Sequence, residues 1–376
     1  MTKPFLLYGW QLSYFSGKAR AYLRYKQIPF REREVDGYTL MRRIPRKTGS
    51  SPVMPVVVTP EGEWLQDTTH IIETLEQRFP APSVYPESAA LRVLAQLLEA
   101  WADEWWIPIA MHYRWSYPEN EALFLKEAGR ALVPFAPAFL QRRLARRPAT
   151  LLKSYLPGVG VVPEQFDLME RWTEAMLDAL DQHFAHHDFL LGGRPCVADF
   201  ALIGPLYAHL ARDPWPKRAL IAPRPHLQAW VARTHEGAPG DGALFDIANL
   251  PETLQPVLRA LRDEFLPMVL GIRDAVQRHA QAGAARKPRL TRALESIDFP
   301  MADGRFRRLA MPYTLWMMQG VQRGYRALDE AQRAALCAAI GSGAAAEALA
   351  ADVGPVLQRT GLRVRWAEAR GGARRR

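Results

Sequence analysis

The chain predicts a small α/β domain, then an all-helical domain, then a mostly helical extension. Three observations carry that prediction. Over the first 80 residues, short apolar runs alternate with helically spaced ones; beyond the proline-rich stretch APSVYPESAA strand signals almost vanish; and past residue 250 a further amphipathic series begins. With 376 residues, 48% apolar and 23% charged, the composition is that of a globular protein of two or three units.

In order, PFLLYG is a short apolar run ending in glycine and reads as the first strand. FSGKARAYLRYKQ places Ala19, Tyr22 and Leu23 with helical spacing, and IPFREREV alternates apolar and charged residues as a half-buried strand does. RIPRKTGSSP, polar and rich in glycine and proline, predicts a loop. Val56, Val57 and Val58 then form a buried strand, Pro60 to Glu63 a turn, and Trp64-Leu65 the start of a paired strand. DTTHIIETLEQRF sets Ile71, Ile72, Leu75 and Phe79 on one helical face, opened by Asp67 and Thr68 as cap candidates. The order is β-α-β, a loop, then β-β-α over residues 1–82.

Helical spacing fills 88–110, 119–147, 164–187 and 197–212, with a short helix near 229, so residues 88–240 predict the all-helical domain. In the extension, residues 250–370, Leu254, Val257, Leu258, Leu261, Phe265, Leu266, Val269 and Ile272 share one face. A hairpin turns around Asp303-Gly304, and TLWMMQGVQRGYRAL is another helix. The last residues, 371–376, predict a disordered tail.

The two cysteines, Cys196 and Cys337, assemble neither a disulfide framework nor a thiolate metal cluster, which fits a reducing cytosol. The first residues lack the charged and apolar regions of a signal peptide, and no stretch reaches the ~18 apolar residues of a membrane span. A cytoplasmic protein without a membrane partner is expected. The net charge of +10 sits mostly in residues 283–376, where 17 Lys and Arg face 8 Asp and Glu. Those basic residues are scattered among Ala and Gly rather than gathered on a face, which argues against nucleic-acid docking.

Three local patterns resemble the glutathione S-transferase family: LYGWQLSYFSGKARAYLRYKQIPF, VMPVVVTPEG followed by WLQDTTHIIETL, and GGRPCVADFALIGPLYAHL. They occur in the family's order and span residues 5 to about 235, leaving the extension unassigned. The resemblance implies a thioredoxin-like first domain that binds glutathione as co-substrate, an all-helical second domain, and a homodimer. It implies a cis bond before Pro55, with the Met54 backbone turned outward to pair with the cysteinyl part of glutathione. Asp67 and Thr68 lie where the family meets the γ-glutamyl end, an acid and a helix N-terminus suiting an ammonium and a carboxylate.

A transferase needs the glutathione thiol as thiolate, and a hydroxyl donating to sulfur at a helix N-terminus lowers the thiol pKa. Ser13 and Tyr14 are both candidates. Spacing from the first strand resembles the serine type, so Ser13 is favoured. The absence of cysteine from residues 1–195 removes thiol-disulfide chemistry on a protein thiolate. The expected activity is attack of the activated thiol on an apolar electrophile; the alternative is a noncatalytic binding or interaction module using the extension.

Other features are read structurally. Asp199, three residues after Cys196, resembles the family's capping aspartate, weakened by Cys in place of Ser or Thr. Lys18 and Arg20 are expected as helix-surface or packing residues. His183, His186 and His187 read as a solvated helix end rather than a metal site. Trp101, Trp105, Trp106, Tyr113 and Trp115 are equally compatible with core and with an apolar co-substrate pocket. Arg46 and Lys47 are alternatives for the glycine end.

Overall fold

The computed structural model describes residues 3–282, 290–341, 348–351, 356–361 and 363–367. The tail expected at 371–376 lies outside the described residues. The first domain is a four-stranded sheet in the order β2-β1-β3-β4, formed by β1 (Phe5–Gly9), β2 (Phe30–Glu34), β3 (Val56–Val58) and β4 (Trp64–Gln66). β1 is parallel to β2 and antiparallel to β3, with Tyr8 opposite Val56, and β3 is antiparallel to β4, with Val56 opposite Gln66. Helices α1 (Tyr14–Tyr25) and α3 (Thr68–Arg78) complete it.

The first half of the polar stretch expected as a loop is helical instead, while residues 49–52 are non-helical as expected. A wide turn at Thr39–Arg43 runs into α2, Ile44–Thr48. Pro45 is tolerated because it occupies the first helical turn, and Gly49 closes the helix in the left-handed conformation (φ 65°). Ile44, fully buried with Val35 and Tyr8, anchors the segment, so one apolar contact outweighs a loop-like composition.

The helical domain comprises α4 (Ala89–Glu104), α5 (Trp106–Ser116), α6 (Pro118–Leu132), α7 (Ala138–Lys153), α8 (Phe166–Phe184), α9 (Val197–Pro205), a single turn α10 (Pro214–Pro216) and α11 (Pro225–Glu236). Asp199 caps α9 as the resemblance implies. It accepts from Cys196 N (3.0 Å), and two further donors, Leu190 N (2.9 Å) and Trp230 Nε1 (3.1 Å), compensate the weak thiol partner. The extension contributes α12 (Gln255–Ala260), α13 (Leu266–Gln281), β5 (Ser296–Met301), β6 (Gly304–Leu309), α14 (Pro312–Ala327), α15 (Glu330–Ile340), β7 (Leu357–Thr360) and β8 (Arg363–Trp366). Met301 pairs with Gly304 across the expected hairpin. α14 and α15 both pack on α4, so the extension is built onto the helical domain.

The tryptophan stripe is core. Trp101 and Trp106 are fully buried and meet edge to face at 5.7 Å, Trp106 meets Trp172 at 5.2 Å, and Phe299 of the extension covers Trp105 at 5.5 Å. The pocket reading of these rings is thereby withdrawn. His183 is likewise buried, paired with Thr253 Oγ1 at 2.9 Å, rather than solvated, and among the described residues no three potential ligands converge on a metal site.

Lys18 and Arg20 are not surface residues. Both are fully buried, and each has carboxylate partners. Arg20 reaches Glu32 through Nε (2.8 Å) and Nη2 (2.5 Å). Lys18 Nζ stands 2.7 Å from Glu99 and 2.6 Å from Asp103, both on α4. Sequence spacing alone could not show this, because the partners lie some 80 residues away. Burial lowers the Lys18 pKa, but the Asp103 and Glu99 charges override it and hold the ammonium raised. With two carboxylates around one ammonium, burial pushes Asp103 up to about 7, Lys18 opposing and Glu99 adding.

Lys18→Ala leaves two buried carboxylates uncompensated and is expected to cost about 3–5 kcal/mol in chemical denaturation. The folded state also keeps a proton on Asp103 that the unfolded chain releases above its ordinary value of 3.8. This contribution to stability is therefore full below about pH 4 and is lost as pH rises through 7. Melting temperatures across that window are expected to fall less steeply for Asp103→Asn than for the parent chain.

Candidate active site

The sheet register gathers the expected site residues at one end of the first domain. Gly9 ends β1, so the turn carrying Ser13 emerges there. Pro55 immediately precedes Val56, which pairs with Tyr8 on one side and Gln66 on the other; Asp67 and Thr68 follow Gln66 directly. Three segments distant in sequence thus open on a common edge.

The Met54-Pro55 peptide is cis. Pro55 is buried and Met54 half-buried. Among the described residues, the Met54 backbone N–H and C=O make no hydrogen bond, while Gln66 Nε2 braces the neighbouring carbonyls of Ser51 (3.0 Å) and Val53 (2.8 Å). An unpaired donor and acceptor on a braced segment is what an extended peptide needs for added-strand pairing.

Ser13 is the N-cap of α1. Its backbone is extended (φ −88°, ψ 123°), and its Oγ accepts from Ser16 N at 3.3 Å. The side chain is half-buried, and its own hydroxyl proton has no acceptor among the described residues. The turn is held from outside the domain: Arg114 of α5 donates from Nη1 to the Leu12 carbonyl (2.6 Å) while its Nε and Nη2 bind Asp213 at 2.9 and 3.0 Å. Both charges are buried, so the fork is fixed at both ends.

Tyr14 is placed differently. Its ring is buried, and its hydroxyl donates to the Ala102 carbonyl on α4. Burial, with Asp103 and Glu104 adding, holds this phenol well above its ordinary pKa. A phenol already donating inside the domain interface has no proton to offer a ligand sulfur. The one-residue step from Ser13 to Tyr14 crosses the helix boundary, and only the packing of α1 on α4 reveals it.

Asp67 is the N-cap of α3, in a left-handed conformation (φ 86°), and accepts from His70 N at 3.2 Å. Thr68 opens the helix; both side chains are buried. The unforeseen neighbours come from the extension. Tyr313, second residue of α14, donates its hydroxyl to Asp67 Oδ2, and Arg359 of β7 stands 3.7 Å from the same oxygen. Thr314 and Arg308 reach the adjacent end of α4, donating to Glu104 Oε2 (2.5 Å) and to its carbonyl (3.1 Å). No sequence signal pointed to Tyr313 or Arg359, because their partner lies about 250 to 290 residues earlier. Arg46 and Lys47 are exposed on α2, and neither shows a partner that would select it for the glycine end.

Apolar residues surround the same edge. Trp10, Leu12 and Val56 share a cluster with Trp115, Phe124, Ala145 and Ala149 from the helical domain, with Met54, Leu152 and Leu156 packed against it. The site therefore combines a free backbone pair, a hydroxyl at a helix N-terminus and a capped acid, seated on a buried apolar cluster shared with the helical domain.

Residues 7–83 match the family model for the glutathione S-transferase N-terminal domain, and residues 163–233 match that for the C-terminal domain. No curated protein matches. Among solved structures, a rice glutathione S-transferase in complex with glutathione is 18% identical, covering 62% of this chain and 88% of its own, with a TM-score of 0.39. A GST-like protein from Pseudomonas syringae is 22% identical over 64% of this chain and 70% of its own, TM-score 0.40. FzlA from C. crescentus is 19% identical over 68% and 92%, TM-score 0.39. Both domain models match in order on the sheet and helices described above, so residues 7–83 and 163–233 carry the N- and C-terminal domains of the glutathione S-transferase family, the extension standing outside the matched regions.

Proposed function

We propose that this protein is a serine-type glutathione transferase, binding glutathione along Met54, Asp67 and Thr68 and activating its thiol with Ser13. The observation that carries the choice of Ser13 is the contrast between adjacent hydroxyls. Ser13 keeps an uncommitted proton at the N-terminus of a 12-residue helix, whereas the Tyr14 proton is given to Ala102. In this reading the Met54 N–H and C=O pair with the cysteinyl residue, which sets the sulfur near the start of α1. The Ser13 hydroxyl donates to the thiolate, and the N-terminal partial charge of α1 adds to the stabilisation. An apolar electrophile as the second substrate, homodimer formation and a cytoplasmic setting belong to the same proposal.

Ser13→Ala is expected to raise the pKa of the bound thiol by about 2 units, worth about 2.7 kcal/mol, and to lower conjugation at neutral pH about 100-fold. Ultraviolet absorbance of the bound thiolate as a function of pH reads the first, and turnover of a chromogenic aryl halide the second. Tyr14→Phe is expected to leave both within about threefold and to cost about 1 kcal/mol of stability through the lost bond to Ala102. The reverse pattern would assign the sulfur to Tyr14. Failure of the parent chain to bind glutathione at all would favour a noncatalytic interaction module instead.

A further inference from the structure

The extension reaches the first domain at the residue where the ammonium of a γ-glutamyl group is expected, and it brings a cation there. We infer that Arg359 is a carboxylate-binding residue of this subsite, so that Asp67 and Arg359 together hold the zwitterionic α-amino-acid head of the ligand. The inference rests on the glutathione reading proposed above and assigns a specificity role to a segment outside both matched domains.

The geometry of the guanidinium supports it. All bonds of Arg359 run through Nη1, to the Gln66 carbonyl (3.3 Å), the Gly361 carbonyl (3.4 Å) and, as an ion pair, Asp67 Oδ2 at 3.7 Å. The group also lies over the Trp316 ring, 5.7 Å from its centroid, which fixes its plane. Nε and Nη2 have no partner among the described residues, and the side chain is 20% exposed. A held guanidinium with one edge open is the fork that binds a carboxylate through two parallel bonds.

The separation from Asp67 matters as much. At 3.7 Å the pair is beyond hydrogen-bond distance, so cation and anion stand side by side rather than closing on each other. An α-amino acid carries its ammonium and carboxylate on one carbon, and this pair offers the complementary charges in adjacent positions. The N-terminus of α3 beside Thr68 adds partial positive charge on the carboxylate side. Tyr313 is a positioning residue: its phenol donates to Asp67 Oδ2 while His70 N donates to Oδ1, leaving the carboxylate oriented from both ends. The subsite is thus split between the first domain and the extension of one chain.

The test is calorimetric titration of the full chain with glutathione and with γ-aminobutyryl-cysteinyl-glycine, which lacks only the α-carboxylate. Arg359→Gln is expected to weaken glutathione about 10- to 100-fold while leaving the analogue within about twofold, and Arg359→Lys to fall between, since it keeps the charge and loses the fork. Unchanged melting of both variants shows that the fold persists. Equal binding of glutathione by parent and Arg359→Gln overturns the inference and leaves the proposed function standing. Tighter binding by Arg359→Gln also overturns it, showing that the arginine obstructs the subsite. Absence of glutathione binding by the parent chain overturns the functional reading and this inference with it.

Discussion

Everything around the candidate site depends on Lys18 standing between Glu99 and Asp103. The ammonium belongs to α1, whose N-terminus carries Ser13, and the carboxylates belong to α4, which begins the helical domain. Thr69 of α3 donates to the same Glu99 at 3.1 Å, so one buried cluster ties together both helices of the sheet's site edge and the next domain. Charges so deeply buried tolerate little displacement, because separating them would leave each desolvated without compensation.

The Ser13 turn is fixed from a second side by Arg114, which spans from the Leu12 carbonyl to Asp213. The two devices act on opposite ends of the same few residues. Between them the turn is prevented from exchanging Ser13 and Tyr14, and the phenol is drawn into the interface by its bond to Ala102. Fixing a weakly acidic hydroxyl in advance is what makes it useful, since a donor that must first reorganise contributes less to stabilising a developing thiolate.

The extension changes what kind of site this is. Its helix α14 lies on α4, its hairpin covers Trp105 through Phe299, and Tyr313 and Arg359 meet Asp67. The same segment that buries apolar surface of the helical domain therefore supplies polar groups to the first domain. The positions of β7 and α14 are thereby tied to the capped acid.

The two-domain layout was legible in the sequence, because alternating and helical periodicities, the turn after Val58 and the cap of α3 are local signals that survive in any tertiary context. Its motifs also placed Met54, Asp67 and Ser13 near the ends of β3, β4 and β1, where the sheet register puts them. It misjudged residues 44–48, where composition favours a loop but Ile44 finds a buried partner surface. It left Lys18 open between helix surface and packing, because the carboxylates that enclose it are remote in sequence. Only the tertiary structure decided that Lys18 is enclosed, that Tyr14 donates inward while Ser13 stays free, that the tryptophans are core, and that Tyr313 and Arg359 join Asp67. The enclosure of Lys18, the bond from Tyr14 and the contacts of Tyr313 and Arg359 depend on partners between 80 and 300 residues away, a relation that no local periodicity encodes.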